Sequence, residues 1–586
     1  MSRNVQEAIL SFQKNMTERS LKLIPYGQAA FDGLRAENYV YVDKTRYIEE
    51  LEKSGCKYPL IVRPRRFGKS LFVTTLKAYY DQAAAPSFEK NFAGTYIGEH
   101  KTPLANSFRV LKFDFSGIAF GDVVENFTAK TLDAISDFQN RYPNVKLQEL
   151  LTRTHSSPAK LFTEFFRTVA SDQEKIYVII DEYDQFANEL LARDKEAFLR
   201  ITSSKGFLKD FYAALKTATA DSIVARVFIT GVTTISLDSL TSGFNISENI
   251  SSYPAFAGMF GFTDEELTGL IEEVLDIQKL GLSVEDIFVR MKSWYNGYRF
   301  SSASSTSVFN ASMCLYYLRQ VSVFGAEPEV LLDPAFSADI SKIHSILSLG
   351  NAEYVQQVVG KATSHQMIDS GSLAPVVNLH SIQQLSDTQL LTVMVYFGFL
   401  TYAERDPNHL VVPNRAVALQ FFEYYFAVLR DMPGDLVRKS LFEQTFPALR
   451  KGDPEPFVQT VSKAVRMGCG IHSAAHLRES DFQTALLTAA TFSMDFEARA
   501  EVEVHGVGYA DLILTPRNKA GVTYLFELKH LTRKEAAGKG ALDEAKEKAS
   551  GQLERYAVGL GFDRLERLKK VALVYAGTDL VSVSVS

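Results

Sequence analysis

The stretch RPRRFGKSL, residues 63–71, decides how the N-terminal part of the chain should fold. It follows the apolar run YPLIV and precedes LFVTTLKAYY, which has a helical pattern. Gly68, Lys69 and Ser70 supply the second half of a phosphate-binding loop between a strand and a helix. In such a loop the helix N-terminus surrounds the phosphates, the lysine contacts the outer phosphates, and the hydroxyl binds magnesium.

The front of this loop departs from the general pattern. Arg63 stands where the first glycine is expected, and Pro64 removes one backbone donor. Arg65 and Arg66 can bind phosphate oxygens, or they can pair with acidic residues on the protein surface. Because FGKS is frequent by chance, a second motif has to decide whether a nucleotide binds. The predicted nucleotide-binding loop comprises Arg65, Arg66, Phe67, Gly68, Lys69, Ser70 and Leu71.

The second motif is IYVIIDEYDQF, an apolar strand that ends in acidic residues. Asp181 can hold magnesium through water together with Ser70, and Glu182 can orient and polarise the attacking water as a catalytic residue. The alternative is a solvated strand end without chemistry. Thr230 ends the run VARVFIT and either contacts the terminal phosphate or is merely a polar residue leaving a buried strand. The two motifs together favour a nucleotide site.

Composition excludes several classes of protein. The 586 residues are 46% hydrophobic with a formal net charge of -6, so a chain that coats nucleic acid non-specifically is not expected. Cys56, Cys314 and Cys469 lack CxxC spacing, which argues against a disulfide framework or a zinc site. The first twenty residues lack an apolar signal core, and no run is apolar enough to span a membrane. These features predict a cytoplasmic protein that is not membrane-bound.

The pattern along the chain predicts three domains. Residues 1–262 alternate apolar runs with helical patterns, as in a parallel sheet covered by helices. A capping box at Thr263 and Glu266 opens a mostly helical region, 263–460. Within it, residues 386–426 have the helix–hairpin–helix outline of a winged helix. Residues 461–586 form a compact α/β unit.

The C-terminal unit contains a second candidate site in GYADLILTPRNKAGVTYLFELKH, which predicts a hairpin. Side chains alternate along a strand, so Glu527 and Lys529 share one face, and a suitable register brings Asp511 beside them. The two carboxylates can hold magnesium on a scissile phosphate, and the lysine can position or activate the water. The alternative is an ordinary cross-strand salt bridge.

Five motifs resemble the AAA-ATPase-like family, which is usually followed by a PD-(D/E)XK nuclease-superfamily domain. They are YVDKTRYIEEL, PLIVRPRRFGKSL, the DEYD cluster, FGFTDEEL and WYNGYRF. The resemblance implies an AAA/ASCE-type P-loop fold that binds ATP and Mg²⁺, and a first-glycine-free, arginine-rich loop is the usual form in that family. The strand RVLKFDF at 109–115 lies between the two nucleotide motifs, as expected if an extra strand separates the loop strand from the acidic strand. WYNGYRF is interpreted as a structural signature.

The resemblance continues to the C-terminus. Asp511, Glu527 and Lys529 match the PD-(D/E)XK core, and Gln552 with Tyr556 matches its QxxxY motif. The resemblance implies that Gln552 is catalytic, and that Asp511 and Glu527 bind Mg²⁺, with Mn²⁺ an alternative. The resemblance also implies a glutamate on the first helix that supports the metal, for which Glu479 ranks before Glu503. Many relatives carry an arginine where this chain has Gly508-Tyr509-Ala510-Asp511.

Two functions follow as hypotheses. The first is an ATP-binding, ATP-hydrolysing protein whose nucleotide state regulates a metal-dependent nuclease acting on nucleic acid, with DNA favoured over RNA. The alternative is a signalling-type ATPase switch whose C-terminal domain is a non-catalytic binding module. A translocating motor ranks third, because further motor motifs are lacking. Assembly into a homo-oligomer is left open.

Overall fold

The computed structural model describes residues 21–118, 122–155, 157–171, 174–188, 201, 206–234, 243–328, 331–333, 343, 346–363, 366–371, 373, 385–404, 406–424, 444–467, 478–491, 493, 495–517 and 521–586. The chain divides into two compact units. The N-terminal unit comprises Met1–Gly350 and Asp369–Asn414, and the C-terminal unit comprises Asn351–Ile368 and Arg415–Ser586. The predicted domain limits, 1–262, 263–460 and 461–586, stay a prediction.

The α-helices of the described residues follow in chain order: α1 Phe31–Ala36, α2 Arg46–Lys53, α3 Lys69–Tyr80, α4 Phe88–Phe92, α5 Tyr96–Glu99, α6 Val123–Arg141, α7 Gln148–Thr152, α8 Pro158–Val169, α9 Phe207–Ala220, α10 Asp264–Val274, α11 Ile277–Leu280, α12 Val284–Tyr295, α13 Ala311–Phe324, α14 Ala352–Thr363, α15 Asp387–Tyr396, α16 Arg415–Tyr424, α17 Phe446–Arg450, α18 Glu455–Met467, α19 Glu479–Thr491, α20 Arg533–Ala536 and α21 Ala541–Gly559. Short 3₁₀ helices span Gln82–Ser87, Pro254–Phe256 and Phe562–Arg564. Within the described ranges, no helix is long and apolar enough to cross a membrane.

The β-strands of the described residues are β1 Pro59–Val62, β2 Arg109–Asp114, β3 Ile176–Asp181, β4 Val224–Gly231, β5 Glu248–Asn249, β6 Ile368–Asp369, β7 Thr401–Tyr402, β8 His409–Val411, β9 Phe496–Val504, β10 Gly508–Pro516, β11 Thr523–Leu531, β12 Leu568–Ala576 and β13 Asp579–Val585. Cys56 and Cys314 are buried free thiols. Cys469 lies outside the described residues.

The N-terminal unit is built on a parallel five-stranded sheet in the order β2-β3-β4-β1-β5. Every residue of β1 and β3 is buried. That burial explains why their sequences are continuous apolar runs rather than alternating patterns, as is usual for parallel strands. The predicted α/β fold with a P-loop-type sheet is confirmed.

The sheet order differs from the sequence prediction in one respect. β4, rather than β2 at 109–114, lies between the loop strand β1 and the acidic strand β3. β2 lies on the far side of β3, at the edge of the sheet. Parallel strands are joined by crossover connections, so order along the chain does not fix neighbours in the sheet. Thr230, in β4, consequently lies between the two nucleotide motifs.

The helical region after the sheet begins where the capping pattern predicts. The Thr263 side chain accepts a hydrogen bond from the Glu266 backbone, and the Glu266 carboxylate accepts one from the Thr263 backbone. α15 is followed by the antiparallel hairpin β7–β8, in which Thr401 pairs with Val411. The helix α16 comes next in the chain but belongs to the other unit, and residues 405, 425 and 426 lie outside the described residues. The winged helix therefore stays a prediction.

The C-terminal unit contains a mixed five-stranded sheet in the order β13-β12-β11-β10-β9. The predicted hairpin β10–β11 is confirmed, and β11 and β12 are parallel, with α20 and α21 between them in the chain. α21 buries Ala549, Leu553 and Tyr556 against Leu525 of β11. The closing VSVSVS lies largely in the edge strand β13, whereas the edge strand β9 was not predicted.

Candidate functional site

The phosphate loop has the predicted position between β1 and α3. Gly68 caps α3 with a φ of 95°, in the left-handed region that favours glycine. A Cβ at this position would meet nothing within 4 Å, so the backbone conformation rather than space requires the glycine. Lys69 and Ser70 follow as the first residues of the helix. The backbone N–H groups of this first turn have no partner within the helix, as an anion site needs.

The Lys69 ammonium is directed into the loop itself. Its Nζ donates to the carbonyl oxygens of Arg63 and Pro64, each at 3.1 Å, and lies 3.6 Å from Glu182 Oε1. The side chain is only 3% exposed. The carbonyls of the loop front thus occupy donors that a nucleotide phosphate would take in a P-loop complex.

Arg63, which replaces the first glycine, lies inside the protein. Its Nη1 donates to the Val62 and Ser251 carbonyls at 2.9 and 2.8 Å, and its Nη2 donates to the Phe256 carbonyl at 3.1 Å. The guanidinium also lies 4.3 Å from the centroid of the Phe300 ring. Burial lowers the pKa of Arg63 to about 9. This arginine therefore ties the loop front to the segment around 251–256.

Two further arginines follow in the loop. Arg66 lies in the left-handed region with a φ of 71°, and its Nη1 is 3.5 Å from Asp333 Oδ2. Tyr26 donates its hydroxyl to the same carboxylate oxygen at 2.6 Å. Arg66 also lines the cavity above the loop, whereas Arg65 is half-buried and is not among the lining residues. Of the two, Arg66 is therefore better placed for a phosphate.

Phe67 anchors the loop through its ring and its backbone. The buried ring contacts Tyr298 and Phe300 edge-on, with centroids 4.8 and 5.4 Å apart. The Phe67 carbonyl accepts a hydrogen bond from the Gly261 backbone at 2.9 Å. Tyr298 and Phe300 belong to the WYNGYRF motif, so this motif packs against the loop. Leu71 lies in the first turn of α3 and lines the cavity.

Asp181 ends β3 beside the start of α3. It is 1% exposed and forms a side-chain hydrogen bond with Ser70. Burial and the neighbouring Glu182 carboxylate raise the pKa of Asp181 to about 6, although the Ser70 hydroxyl acts in the opposite direction. A hydroxyl paired with a buried carboxylate fits the oxygen ligands that Mg²⁺ prefers, directly or through water.

Two polar atoms at the same edge of the sheet are buried without a hydrogen-bond partner among the described residues. They are Glu182 Oε2 and Thr230 Oγ1. Glu182 has a φ of 52°, a conformation that is uncommon for residues other than glycine. The next residue, Tyr183, donates its backbone N–H to the Thr230 carbonyl at 3.0 Å, which fixes the two strand ends side by side. Unpaired buried groups cost about 1–3 kcal/mol each, and a magnesium–nucleotide complex offers them partners.

A cavity of about 290 Å³ lies above the phosphate loop. Its walls include the loop residues 66–72 and Glu182. Further walls come from residues within the segments 25–29, 40–44, 259–262 and 311–315. Many of these are apolar, and the polar residues of the lining include Lys44, Arg66, Lys69 and Glu182.

The structure brings Asp511, Glu527 and Lys529 together in the C-terminal unit. Leu512 pairs with Phe526, so Asp511, one position earlier, faces Glu527 on the adjacent strand. Asp511 Oδ2 accepts a hydrogen bond from the Leu528 backbone N–H at 2.6 Å. Lys529 Nζ donates to Glu527 Oε1 at 2.6 Å and to the Leu528 carbonyl at 2.8 Å. The register, which the sequence left open, thus places Asp511 beside Glu527, while the chemical roles stay a prediction.

The electrostatics of this cluster are unusual for carboxylates. Glu527 is 1% exposed, and its Oε2 has no partner among the described residues. Burial, and then the charge of Asp511, raise the pKa of Glu527 to about 7. Burial also raises the pKa of Asp511. Burial lowers the pKa of Lys529, but the hydrogen bond to Glu527 together with the charges of Glu527, Glu479 and Asp511 raises it overall. A further cation beside them would favour the ionised form of both carboxylates.

Glu479, rather than Glu503, approaches this cluster. It begins α19, and its Oε2 accepts a hydrogen bond from the His530 backbone at 3.1 Å. Its Oε1 lies 4.0 Å from Lys529 Nζ. Glu503 is exposed and pairs across the strands with Tyr509. Of the two ranked candidates, Glu479 is therefore the one that approaches the cluster, and its role in supporting a metal stays a prediction.

Gln552 and Tyr556 lie on α21 as the four-residue spacing predicts. Gln552 Nε2 donates to the Tyr556 hydroxyl at 3.1 Å, and Gln552 Oε1 is buried without a partner in the described part of the chain. A Cβ at Gly508 would lie 3.1 Å from the Tyr556 hydroxyl, so glycine lets the start of β10 approach the helix. Among the described residues, no hydrogen bond joins Gln552 to the carboxylates, and its catalytic role stays a prediction.

An open cleft of about 510 Å³ lies beside the cluster and contains residues that the sequence analysis did not assign. Glu501 has a φ of 49° and faces Asp511, between the Ala510–Val502 and Leu512–Ala500 pairs. The signal for β9 was its alternating sequence FEARAEVEV, which predicts a half-exposed strand. The lining residues are Arg478, Glu479, Ser480, Gln483, Glu501, Tyr509 and Asp511.

The fit of the cluster to a divalent cation depends on the side-chain ligands that it offers. Among the residues that the structure describes, no group of three or more histidine, cysteine, aspartate or glutamate side chains is arranged to hold a metal ion. Mg²⁺, however, usually keeps several waters and binds one or two carboxylates together with substrate phosphates. Asp511 and Glu527 supply two carboxylates, one with an unpartnered buried oxygen. The residues present fit a substrate-assisted magnesium site.

Comparison with known proteins covers both candidate sites. Residues 25–241 match the AAA-ATPase-like family, described as a predicted AAA-ATPase, and residues 477–584 match the PD-(D/E)XK nuclease superfamily. An uncharacterized protein in the vnfD 5′ region of Azotobacter chroococcum mcd 1 is 27% identical over 320 residues. The match covers 54% of this chain and 56% of the relative, so the chain spans just over half of that protein's length.

A crystal structure of Cdc6p from Pyrobaculum aerophilum covers 67% of this chain and 97% of its own, with 12% identity and a TM-score of 0.26. A likeness this low carries no argument about function. The assignment depends instead on the family matches, on the strand–loop–helix at Lys69, and on the strand pair at Asp511. Residues 25–241 of the chain are an AAA-ATPase-like domain, and residues 477–584 are a domain of the PD-(D/E)XK nuclease superfamily.

Proposed function

We propose that the chain binds and hydrolyses ATP, and that its nucleotide state regulates a C-terminal metal-dependent nuclease that cleaves nucleic acid, with DNA favoured as substrate. The observation that carries the proposal is the Asp511–Glu527–Lys529 cluster. The buried Glu527 and the half-buried Asp511 face each other with raised pKa values, and one oxygen of Glu527 has no partner among the described residues. In a purely structural salt bridge each carboxylate would already have its partners, and no further cation would be required.

In the nucleotide half, ATP would lie in the cavity above the phosphate loop. Lys69 and the first turn of α3 would bind the outer phosphates, and the apolar walls at 40–42 and 259–262 would suit the base. Ser70 and Asp181 would hold Mg²⁺, which neutralises charge on the phosphates. Glu182, with its unpartnered oxygen, would orient and polarise the attacking water.

In the nuclease half, Asp511 and Glu527 would hold Mg²⁺ or Mn²⁺ together with a phosphate of the substrate. The bound metal would supply an activated water and stabilise the leaving oxygen. Lys529 would donate to the attacking water or to the phosphate, since its ammonium lies 2.6 Å from Glu527 Oε1. Glu479 would keep Lys529 in place from the side of α19.

The test is a cleavage assay with supercoiled plasmid, linear duplex, single-stranded DNA and RNA, with Mg²⁺ or Mn²⁺, with and without ATP. We expect Lys529→Ala to lower cleavage about 100-fold or more, because it removes a charge from the proposed site. Lys534→Ala, on the exposed surface of α20, is the matched control and should leave cleavage unchanged. Cleavage that survives Lys529→Ala would reject this site.

The regulatory part requires a separate comparison. Lys69→Ala should abolish ATP binding and make cleavage independent of ATP, whereas Lys90→Ala, on the surface of α4, should do neither. ATP binding is measured directly with a labelled nucleotide, so that loss of regulation and loss of cleavage are distinguished. A Lys69→Ala protein whose cleavage still responds to ATP would contradict the regulatory role of this loop.

One observation favours the second function, a slowly cycling ATPase switch with a non-catalytic C-terminal domain. Lys69 Nζ is already held by two loop carbonyls and by Glu182, so a nucleotide has to displace these partners. For a switch of this kind we expect tight ATP retention and oligomerisation that depends on the nucleotide. Lys529→Ala should leave its ATPase activity unchanged.

A further inference from the structure

Tyr509 stands out in the cleft beside Asp511 because its ring is left exposed. The side chain is 60% exposed, although it lies on β10 within the sheet. Within the described residues its ring contacts no other aromatic ring or cation, and its hydroxyl forms no hydrogen bond. Tyr509 and Asp511 both line the cleft and lie two positions apart on one strand, a rise of about 7 Å. That distance is close to the spacing of neighbouring nucleotides in a strand.

The cleft also contains a cation without an acidic partner. The Arg478 guanidinium lines the cleft and takes part in no ion pair with the residues that the structure describes. The other charged residues of the lining are Glu479, Glu501 and Asp511. An arginine fork suits phosphate oxygens, and the carboxylates suit a metal that bridges to phosphate. The charges of the cleft therefore fit a phosphodiester better than they fit a protein side chain.

We propose that this cleft binds single-stranded nucleic acid, with an unpaired base stacked on Tyr509 and an adjacent phosphate held by Arg478. The inference rests on the proposed nuclease function and names its substrate class. An exposed tyrosine can stack only on a base whose face is free. In a duplex both faces of each base are covered by neighbouring pairs, so an intact double helix cannot use Tyr509. The base on Tyr509 belongs to a nucleotide that flanks the phosphate at Asp511.

A protein partner fits the cleft less well. The apolar surface is a single ring set among an arginine and three carboxylates, rather than a continuous apolar patch. A lone aromatic beside charged groups is the arrangement of surfaces that bind single strands, where stacking supplies affinity without sequence preference.

The test measures binding in the cleavage-deficient Lys529→Ala background, so that substrate is not consumed. A fluorescein-labelled single-stranded oligodeoxynucleotide and the matched duplex are titrated by fluorescence anisotropy with Ca²⁺ present. We expect Tyr509→Ala to weaken single-strand binding about tenfold and duplex binding less than twofold. Tyr509→Phe keeps the stacking face and should bind within twofold of the parent. Because Tyr509 is exposed, these variants are expected to fold, and thermal unfolding checks this.

Arg478→Ala should weaken both ligands and reduce the slope of log affinity against log salt by about one. Arg499→Ala, on β9 outside the cleft lining, is the matched control and should change neither. Equal loss for single strand and duplex in Tyr509→Ala, or no loss, overturns the inference. If wild type cleaves no nucleic acid while this discrimination persists, the catalytic proposal fails and the binding inference stands. If cleavage depends on Lys529 but Tyr509→Ala binds like its parent, only the inference fails.

Discussion

Glu527→Gln should change how the stability of the C-terminal unit depends on pH. Glu527 is 1% exposed, and burial with the Asp511 charge raises its pKa from the ordinary 4.5 to about 7. Between these pH values the folded protein binds more protons than the unfolded chain, so stability falls as pH rises through the window. The stabilising contribution is present below pH 4.5 and is lost by about pH 7. Glutamine does not ionise and removes this dependence.

The magnitude follows from the shift. One pKa unit corresponds to about 1.4 kcal/mol, so the change from 4.5 to about 7 amounts to roughly 3 kcal/mol in full. Between pH 5 and pH 8.5 the free energy of unfolding of the variant minus that of wild type should therefore increase by about 2–3 kcal/mol. This double difference is insensitive to the lost hydrogen bond between Lys529 and Glu527, because Lys529 does not titrate in that range.

The measurement is hydrogen exchange by mass spectrometry on peptides that cover β11, in EDTA, at both pH values. Trp294, the only tryptophan of the chain, lies in the N-terminal unit, so its fluorescence serves as an internal control that should not change. Glu503→Gln, an exposed glutamate on β9, is the matched control variant. Adding Mg²⁺ at pH 8.5 should stabilise wild type but not Glu527→Gln, because only the carboxylate binds the cation.

The reasoning is refuted if the stability difference between Glu527→Gln and wild type is the same at pH 5 and pH 8.5. That result would mean that Glu527 keeps its ordinary pKa of 4.5 in the folded protein. A difference of equal size in Glu503→Gln would assign the effect to net charge rather than to burial.

Three further predictions concern the N-terminal unit, with unfolding followed by Trp294 fluorescence. Thr230→Val should raise the stability of the nucleotide-free protein by about 1 kcal/mol, because it removes an unpartnered buried hydroxyl, and should slow ATP hydrolysis; a less stable variant would contradict this. Arg63→Gly should cost about 3 kcal/mol and weaken ATP binding, since three carbonyls lose their donor; unchanged binding would count against the supporting role. Gly297→Ala should cost more than about 2 kcal/mol, because φ is 94° and a Cβ would strike the Pro413 carbonyl; a cost under 1 kcal/mol would disprove it.

The sequence predicted the elements whose pattern is local. IYVII and YPLIV are continuous apolar runs, and they form buried strands of a parallel sheet. The capping pair Thr263 and Glu266 forms both of its hydrogen bonds. The hairpin between β10 and β11 could also be predicted, but the sequence left open whether its register pairs Asp511 with Glu527.

The features that the sequence did not predict depend on contacts distant along the chain. β4 inserts between β1 and β3 from more than a hundred residues downstream of the phosphate loop. The carbonyls that bind Arg63 come partly from the segment 251–256, which no local pattern connects with the loop. These contacts become visible only when crossover connections place separate segments side by side.

The ranking of Glu479 before Glu503 depended on the resemblance, because proximity in sequence to Asp511 alone favours Glu503. Glu503 lies eight positions before Asp511 in sequence, yet it faces Tyr509, whereas Glu479 approaches Lys529 from a separate helix. The strand β9 was not predicted, although FEARAEVEV alternates as a half-exposed strand does. Glu501, opposite Asp511, was missed with it.

The buried position of Arg63 has a consequence for how such chains are identified. A search pattern that demands glycine at the front of the phosphate loop rejects this sequence, although Gly68, Lys69 and Ser70 occupy their usual places at the start of the helix. The inward-facing guanidinium of Arg63 holds the front of the loop. The backbone conformation of the loop front therefore depends on contacts with the surrounding protein rather than on the flexibility of glycine. This kind of loop is therefore recognised by two features that are distant along the chain: the arginine, and the segment around residues 251–256 whose carbonyls bind it. The two features must be present or absent together.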